Sequence, residues 1–217
     1  AERYGRVETI EMIGQPQLPI PQDLQADYLF VCSNETIGGV QSATWPKTDL
    51  PLIVDASSDI FSRRFDMSNV ALLMAGAQKN AGIAGVSLVV VRKDWLETAK
   101  VAEPLLSFRE HARAGSLLVT PPALALGALD ATLSWIEASG GVGYFEKLNE
   151  EKAALIYKSI DESRGFYRNT VEPLARSKMN VVFSLRDDAL TQAFLLGAEQ
   201  RGLLNLKGHR SAGAIRA

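Results

Sequence analysis

The stretch "AGAQKNAGIAG", residues 75–85, places one lysine among alanines and glycines. The nearest ionisable residues along the chain are Asp66 before this lysine, Lys79, and Arg92 after it. Surroundings of small residues predict that the Lys79 side chain is buried. Burial disfavours the charged ammonium form, so the stretch predicts a neutral, nucleophilic amine.

Two interpretations of this lysine are open at the level of the residues alone. A glycine-rich turn that carries a lysine is often a surface hairpin loop, because lysine is rarely buried. The chemical interpretation is a lysine that forms a Schiff base with an aldehyde, for which pyridoxal phosphate is the usual cofactor. No G-x-x-x-x-G-K-[S/T] motif is present, which disfavours a nucleotide-binding lysine.

Polar residues follow three of the apolar runs that predict strands. The runs are "DYLFVCS" (27–33) and "LPLIVDASS" (50–58), both predicted to be buried, "VALLMAGAQ" (70–78) and "GVSLVVVRK" (85–93). Thr36 follows the first run, Asp55 ends the second and Lys79 follows the third. Because open α/β sheets bind ligands beyond the carboxyl ends of their strands, these three residues are expected to converge on one cleft.

Asp55 has a specific chemical interpretation beside that lysine. Pyridoxal phosphate enzymes need a carboxylate that keeps the pyridine nitrogen protonated, and Asp55 is the natural candidate. Alternatives remain open, because an Asp after a strand often caps a turn, and Thr36 could cap a turn in "NETIGG".

The remainder of the chain alternates predicted helices and strands. Asp94 is predicted to cap a short helix, with Glu97 at the capping-box position. Longer helices are predicted over 121–141, 144–163 and 187–202, with strands over 179–185 and in the final glycine-bearing stretch. The composition changes near residue 141. We therefore expect a large α/β domain over 1–143 and a smaller α+β domain over 144–217.

Composition excludes several classes of function. The 217 residues include 47% hydrophobic residues and carry a net charge of −2, typical of a globular protein with no basic stripe for nucleic acid. Apolar runs are too short to span a membrane, and the start, "AERYGRVETIEMIG", lacks a signal core, so a cytoplasmic protein is expected. One cysteine, Cys32, and two histidines predict neither a disulfide nor a metal site.

Five segments together resemble a known family. They are, in order, "CSNETIGGV", "DASSDIFSR", "AGAQKNAGIAG", "RSKMNVVFSL" and "LKGHRSAGAIRA". Their order and spacing resemble the phosphoserine aminotransferases, class-V members of the fold-type I pyridoxal phosphate enzymes, from about residue 1 to 217. The resemblance implies that fold, here as a partial large α/β domain followed by a truncated, smaller α+β domain.

The resemblance also implies which residues bind the cofactor, pyridoxal 5′-phosphate. Lys79 would form the Schiff base and carry the proton between the substrate Cα and the cofactor C4′. Asp55 would pair with the pyridinium nitrogen and Thr36 would bond to the ring, at its phenolic oxygen. Gln78 would contact the phosphate, and Thr120, in "SLLVTPP", would reach the phosphate bound in a partner subunit.

Substrate binding and the reaction are implied in the same way. Arg216 would clamp the substrate α-carboxylate, because a guanidinium group matches a carboxylate with two bonds. His209 and Arg210 would meet the substrate's phosphate or the glutamate side-chain carboxylate. The implied reaction is reversible amino transfer from glutamate to 3-phosphohydroxypyruvate, giving phosphoserine and 2-oxoglutarate. It serves serine biosynthesis and, in bacteria, pyridoxine biosynthesis, in a cytoplasmic homodimer.

The chain also departs from the family pattern. The family's amino-terminal part is expected to be missing, with its phosphate-binding turn, its stacking aromatic ring and a His-Arg pair, and so is the closing tyrosine-containing loop. Val119 stands where the family has an asparagine, and "GAIR" (213–216) lacks the usual glycine pair. Two alternatives therefore stay open: a non-catalytic remnant of the fold, and another class-V aminotransferase that does not use phosphoserine.

Overall fold

The computed structural model describes residues 5–10, 20, 24–98, 103–208 and 215–217. These residues form two compact units. The sheet unit comprises Ala26–Ser33 and Asp49–Leu148. The C-terminal unit comprises Asn34–Thr48 and Asn149–Ala217, with the described part of the first 25 residues. The predicted domain boundary between residues 143 and 144 stays a prediction.

Nine strands and five α-helices are present in the described part of the chain. The strands are β1 (Leu29–Cys32), β2 (Asn34–Glu35), β3 (Val40–Gln41), β4 (Leu52–Asp55), β5 (Val70–Gly76), β6 (Ser87–Val91), β7 (Tyr167–Arg168), β8 (Val182–Leu185) and β9 (Ile215–Arg216). The helices are α1 (Lys93–Thr98), α2 (Phe108–Arg113), α3 (Ala123–Ala138), α4 (Gly141–Asp161) and α5 (Thr191–Glu199). Short 3₁₀ turns cover Pro104–Leu106, Pro173–Ala175 and Asp188–Leu190.

The sheet unit is built on four strands in the order β1-β4-β5-β6. Strands β1, β4 and β5 are mutually parallel, whereas β6 runs antiparallel to β5. Because β4 and β5 are parallel neighbours, their carboxyl ends lie at the same edge of the sheet. Leu52, Val54 and the Val70–Leu73 segment are buried and form the centre of this core.

Strand β1 was predicted to be buried, and that prediction is only half right. Leu29 and Val31 are buried, but the alternating residues Phe30 and Cys32 are exposed. The physical reason is that successive side chains of a strand point to opposite faces of the sheet, and at β1 only the face that carries Leu29 and Val31 is covered.

Helix α3 packs closely against the glycine-rich loop after β5. A Cβ atom added to Gly82 would lie 3.3 Å from the backbone nitrogen of Leu129. One added to Gly85 would lie 3.4 Å from the Ala125 Cβ. Both Ala125 and Leu129 are buried residues of α3. The glycines therefore let the helix backbone approach the loop.

The predicted capping role of Asp94 is wrong. Helix α1 begins at Lys93, so Asp94 lies in its first turn rather than before it. The Asp94 carboxylate instead accepts a hydrogen bond of 2.7 Å from Arg92 Nε. That bond lowers the pKa of Asp94, because it stabilises the ionised carboxylate. The carboxylate therefore binds a neighbouring guanidinium group.

The C-terminal unit has its own core between α4 and the β7-β8-β9 sheet. Its buried members are Ala153, Tyr157, Ile160, Val181, Phe183, Leu185 and Ile215. Phe183, Tyr167 and Phe194 meet edge to face around it, with ring centroids 5.6 to 6.2 Å apart. The predicted long helices are confirmed as α3, α4 and α5. Among the described residues, none of the helices combines the length and apolar composition needed to cross a bilayer.

Ionisation of Tyr157 makes the stability of this core depend on pH in the alkaline range. Its hydroxyl donates a hydrogen bond of 2.9 Å to the Ser177 carbonyl. Burial raises the pKa of Tyr157 to about 12, against the partly opposing effect of the Arg176 charge. The neutral phenol is therefore favoured in the folded state, and its contribution to stability is complete below the unfolded pKa of about 10 and is lost between about pH 10 and 12.

We expect Tyr157→Phe to remove the loss of stability between about pH 10 and 12 that the ionisation of Tyr157 causes. Loss of the hydroxyl's hydrogen bond should lower the free energy of unfolding near pH 8 by about 0.5–1.5 kcal/mol. Urea unfolding at pH 8 and pH 11 measures both effects. If the variant loses as much stability between these pH values as the parent, Tyr157 is not the titrating group.

Candidate active site

The Asp55 carboxylate lies at the carboxyl end of β4. Asp55 is half-buried and lies opposite Cys32 of β1 and Met74 of β5 in the sheet register. Its Oδ1 accepts a hydrogen bond of 2.9 Å from the backbone N–H of Ser57. Among the described residues no other group donates to this carboxylate, which leaves Oδ2 able to accept a bond from a ligand.

Ser57 connects this carboxylate to the end of the next strand. Its hydroxyl oxygen accepts a hydrogen bond of 3.0 Å from the backbone N–H of Gly76, the last residue of β5. One residue thus binds Asp55 through its amide and Gly76 through its hydroxyl. The position of the carboxylate relative to the loop after β5 is fixed by these two bonds.

Gln78 folds back over Gly76 at the same edge of the sheet. A Cβ atom on Gly76 would lie only 2.5 Å from Gln78 Oε1. A larger residue at position 76 would therefore displace the Gln78 side chain. The Gln78 side chain is exposed and can donate its amide N–H groups to a ligand.

Lys79 is exposed, and the prediction that it is buried is wrong. The small residues beside it serve packing: Ala77 and Ala81 are fully buried beneath the loop, and its glycines accommodate α3. Asn80 Nδ2 holds the loop by donating a hydrogen bond of 2.6 Å to the Ile60 carbonyl. Lys79 makes no ion pair with any described residue, so its amine is accessible to an aldehyde.

A buried polar layer supports the end of β4. The Ser33 N–H donates to the Asp55 carbonyl at 2.9 Å, and the Ser33 hydroxyl donates to the Asp59 carboxylate. Asp59 is fully buried and forms an ion pair with Arg63 at 3.3 Å. Sequence reasoning missed the roles of Ser33, Ser57 and Asp59. The order "DASSD" contains the available signal, because a backbone N–H two residues after an Asp commonly bonds to its carboxylate.

Thr36 and Arg216 lie in the C-terminal unit and contact each other. Thr36 is half-buried in the turn between β2 and β3, and Arg216 is in β9. Arg216 Nη1 donates a hydrogen bond of 3.2 Å to the Thr36 carbonyl. The predicted convergence of Thr36 with Asp55 and Lys79 stays a prediction. His209 and Arg210 lie outside the described residues.

Thr120 is exposed in the segment that leads into α3. Val119 beside it is also exposed, and Pro122 immediately precedes the helix. A Cβ atom on Gly85 would lie 3.8 Å from Pro122 Cγ, so this segment lies against the same loop that carries Lys79. The predicted contact of Thr120 with a ligand in a partner subunit stays a prediction.

The edge of the sheet unit presents three complementary chemical groups. They are an accessible amine, a carboxylate with one open oxygen and a side-chain amide, from Lys79, Asp55 and Gln78. These groups fit a ligand that combines an aldehyde, a ring nitrogen that can carry a proton and an anionic group. Within the described ranges, no cluster of three His, Cys, Asp or Glu residues is arranged to hold a metal ion.

Comparison with known proteins identifies the family to which the chain is similar. The family described as "Aminotransferase class-V" matches residues 23–216. The phosphoserine aminotransferase of Geobacillus kaustophilus is 47% identical over 193 residues, which are 88% of this chain and 54% of that protein. The chain therefore spans about half the length of the curated relatives that it matches.

Solved structures give the same result. The phosphoserine aminotransferase from Bacillus circulans subsp. alkalophilus matches with a TM-score of 0.85 and 42% identity, over 92% of this chain and 55% of that one. The phosphoserine aminotransferase from Trichomonas vaginalis, solved with pyridoxal phosphate bound, matches with a TM-score of 0.85 and 35% identity. That match covers 94% of this chain and 60% of the other. The fold is therefore that of the fold-type I aminotransferases, in part.

We expect Ser57→Ala to loosen the connection between Asp55 and the loop after β5. The variant keeps the backbone bond to Asp55 but leaves the Gly76 N–H without its acceptor, which should cost about 0.5–1.5 kcal/mol of unfolding free energy. Faster hydrogen exchange of the Gly76 amide is the direct measurement. Ser159→Ala, which removes an exposed hydroxyl bond to the Leu155 carbonyl, is the matched control and should leave that amide unchanged.

Proposed function

The chain belongs to the class-V aminotransferase family, and we propose that it binds pyridoxal 5′-phosphate and transfers an amino group between glutamate and 3-phosphohydroxypyruvate. The products are 2-oxoglutarate and phosphoserine. The observation that carries the proposal is the hydrogen-bonded arrangement of Asp55, Ser57 and the Lys79 loop at one edge of the sheet. The similarity to named phosphoserine aminotransferases supports the choice of substrates.

Two residues of the sheet unit are assigned to holding the cofactor. When bound, pyridoxal phosphate supplies an aldehyde for the amine and a protonated ring that takes up the electrons released at the substrate Cα. With the cofactor bound, Asp55 would keep the ring nitrogen protonated, because its Oδ2 could accept the N–H and a nearby negative charge favours the cation. Gln78 donates its side-chain amide to the cofactor phosphate.

Lys79 is assigned to bond formation and proton transfer. Its exposed Nζ can reach an aldehyde that arrives from solvent. With the cofactor bound, the Lys79 Nζ would carry the proton from the substrate Cα to the cofactor C4′. In the opposite half of the reaction it would carry the proton back from C4′ to the Cα of the keto acid.

Arg216 and two further cationic residues are assigned to the substrate. One guanidinium N–H of Arg216 is used by the Thr36 carbonyl, which holds the group in place while its other donors bind the α-carboxylate. His209 and Arg210 are assigned to the second anion, which is the phosphate of one substrate and the side-chain carboxylate of the other. Thr36 is assigned to the cofactor ring.

The resemblance supports further parts of the proposal, which concern the pathway, the location and the assembly of the protein. The protein acts in serine biosynthesis and, in bacteria, in pyridoxine biosynthesis. It is a cytoplasmic homodimer, in which Thr120 reaches the phosphate bound by the partner subunit.

Borohydride reduction tests the bond to Lys79. After incubation with pyridoxal phosphate and reduction, the peptide that contains Lys79 should carry one reduced cofactor, detected by mass spectrometry. Lys79→Ala should lose the label and the accompanying visible absorbance, whereas Lys93→Ala, which removes another exposed lysine of the sheet unit, should keep both. Equal labelling of the parent and Lys79→Ala would mean that surface lysines react at random.

The choice of substrates has a separate measurement. Cofactor-loaded protein mixed with glutamate should form 2-oxoglutarate, and mixed with phosphoserine it should form 3-phosphohydroxypyruvate. Reaction with glutamate but not phosphoserine would identify a different class-V aminotransferase. Cofactor binding without either product would identify a non-catalytic form of the fold.

Gly76→Ala tests the assignment of Gln78 to the phosphate. The new Cβ would lie 2.5 Å from Gln78 Oε1 and push this exposed side chain away at little cost in folding free energy. Loss of one hydrogen bond to an anion should raise the dissociation constant for pyridoxal phosphate about tenfold. Gly127→Ala, where an added Cβ meets nothing within 4 Å, is the control and should bind normally.

A further inference from the structure

Three polar side chains of the C-terminal unit form a hydrogen-bonded cluster, here called the polar clamp: Asn34, Ser177 and Asn180. Asn34 and Ser177 are 1% and 0% exposed, so each of their polar atoms needs a partner within the protein. Asn34 Nδ2 donates to Asn180 Oδ1 at 2.9 Å, and the Ser177 hydroxyl donates to Asn34 Oδ1 at 2.5 Å. The clamp thus joins segments more than 140 residues apart in the chain.

The Ser177 hydroxyl uses its full hydrogen-bonding capacity. Besides donating to Asn34, it accepts bonds from the backbone N–H groups of Met179 and Asn180, at 3.1 and 2.9 Å. A hydroxyl has one donor and two acceptor sites. This oxygen therefore holds the backbone of residues 179 and 180 beside the Asn34 side chain.

The turn that carries Thr36 docks on the same segment through its backbone. The Ser177 N–H donates to the Gly39 carbonyl at 2.9 Å. Gly39 has a φ of +74°, and a Cβ atom on it would lie 2.9 Å from the Asn180 carbonyl oxygen. Only glycine allows both this conformation and this close approach.

The clamp segment leads directly to the strand that holds Arg216. Val181 exchanges two backbone hydrogen bonds with Ala217, of 2.8 and 2.9 Å. Val182 lies opposite Arg216 in the pairing of β8 with β9. Arg216 itself donates a hydrogen bond to the Thr36 carbonyl in the turn between β2 and β3. The clamp, β8, β9 and the turn therefore form a closed loop of contacts.

We propose that the polar clamp is a positioning element that couples Thr36 to Arg216. This inference rests on the proposed function, in which Thr36 binds the cofactor ring and Arg216 binds the substrate α-carboxylate. Because the clamp holds the turn and β8 in one arrangement, a ligand on Arg216 stabilises the turn that binds the cofactor. Coupling of this kind is reciprocal, so each ligand tightens the binding of the other.

A purely structural role for the clamp leads to a different expectation. Buried polar groups are hydrogen-bonded in most proteins, and such a cluster could serve stability alone. In that case, disrupting the clamp would lower stability and leave the ratio of cofactor affinities with and without substrate unchanged. The coupling ratio therefore separates the two roles.

Asn180→Ala is the variant that tests the coupling. Asn180 is half-buried, so its truncation removes the bond between its Oδ1 and the Asn34 amide and should leave the fold intact. The probe is 2-oxoglutarate, which has the α-carboxylate but no amino group to transfer. In the parent, saturating 2-oxoglutarate should tighten pyridoxal phosphate binding at least about fivefold, and in Asn180→Ala this factor should fall to about one.

Two further variants make the comparison specific. Asn180→Asp keeps a side-chain oxygen for the Asn34 amide and should restore most of the coupling. Ser163→Ala removes a serine of the same unit that bonds the Tyr167 N–H and carbonyl, away from the turn, and should keep the parent factor. A parent factor of one, or an unchanged factor in Asn180→Ala, would overturn the inference.

Hydrogen exchange gives a readout without any ligand. The Gly39 N–H donates to the Glu35 carbonyl at 3.1 Å and reports on the turn. Its exchange should accelerate in Asn180→Ala and remain unchanged in Ser163→Ala, and equal rates would overturn the inference. Failure of the parent to bind pyridoxal phosphate would instead contradict the proposed function, and the exchange result would then decide whether the clamp holds the turn.

Discussion

The hydrogen bond from the Gly76 N–H to the Ser57 hydroxyl is the contact on which the candidate site depends. Parallel pairing of β4 with β5 brings their carboxyl ends to the same edge, but it does not fix the loops beyond them. Ser57 does so, because its amide binds the Asp55 carboxylate and its hydroxyl binds the end of β5. A carboxylate and an amine-bearing loop are thereby held by rigid strands, as a site for a heteroaromatic aldehyde requires.

The glycine-rich loop shows how one composition can serve two purposes. Its small residues were expected to enclose Lys79, and they instead give α3 close access to the loop backbone at Gly82. Lys79 itself is exposed, so its amine is available to an incoming ligand. A ligand that bonds to Lys79 would therefore meet an accessible amine on a loop whose other side packs tightly against α3.

In the C-terminal unit, buried polar groups hold the segments that carry candidate site residues, whereas in the sheet unit strand pairing brings such segments to one edge. Asn34 and Ser177 are almost completely shielded from water, so their hydrogen bonds cannot be replaced by solvent without cost. These bonds hold the turn of Thr36 beside β8, while β9 holds Arg216 against the Thr36 carbonyl. Two short strands and a turn acquire a definite arrangement in this way, although each has little regular structure of its own.

The sequence by itself predicted most of the strands and helices of both units, among them β1, β4, β5 and the long helices. It also proposed Lys79, Asp55 and Gln78 for the candidate site, and their roles stay predictions. Apolar runs of strand length, prolines before α3 and the order of five motifs are local features, and each is readable without knowing which segments meet. Tertiary structure alone decided that Lys79 is exposed and that Ser57, Ser177 and Asn180 hold the flanking segments in place. These outcomes depend on which backbone groups remain unpaired and on how closely a helix or a turn approaches another segment. Distances between segments that are remote in the chain leave no periodic pattern in the residues, so the sequence does not reveal them.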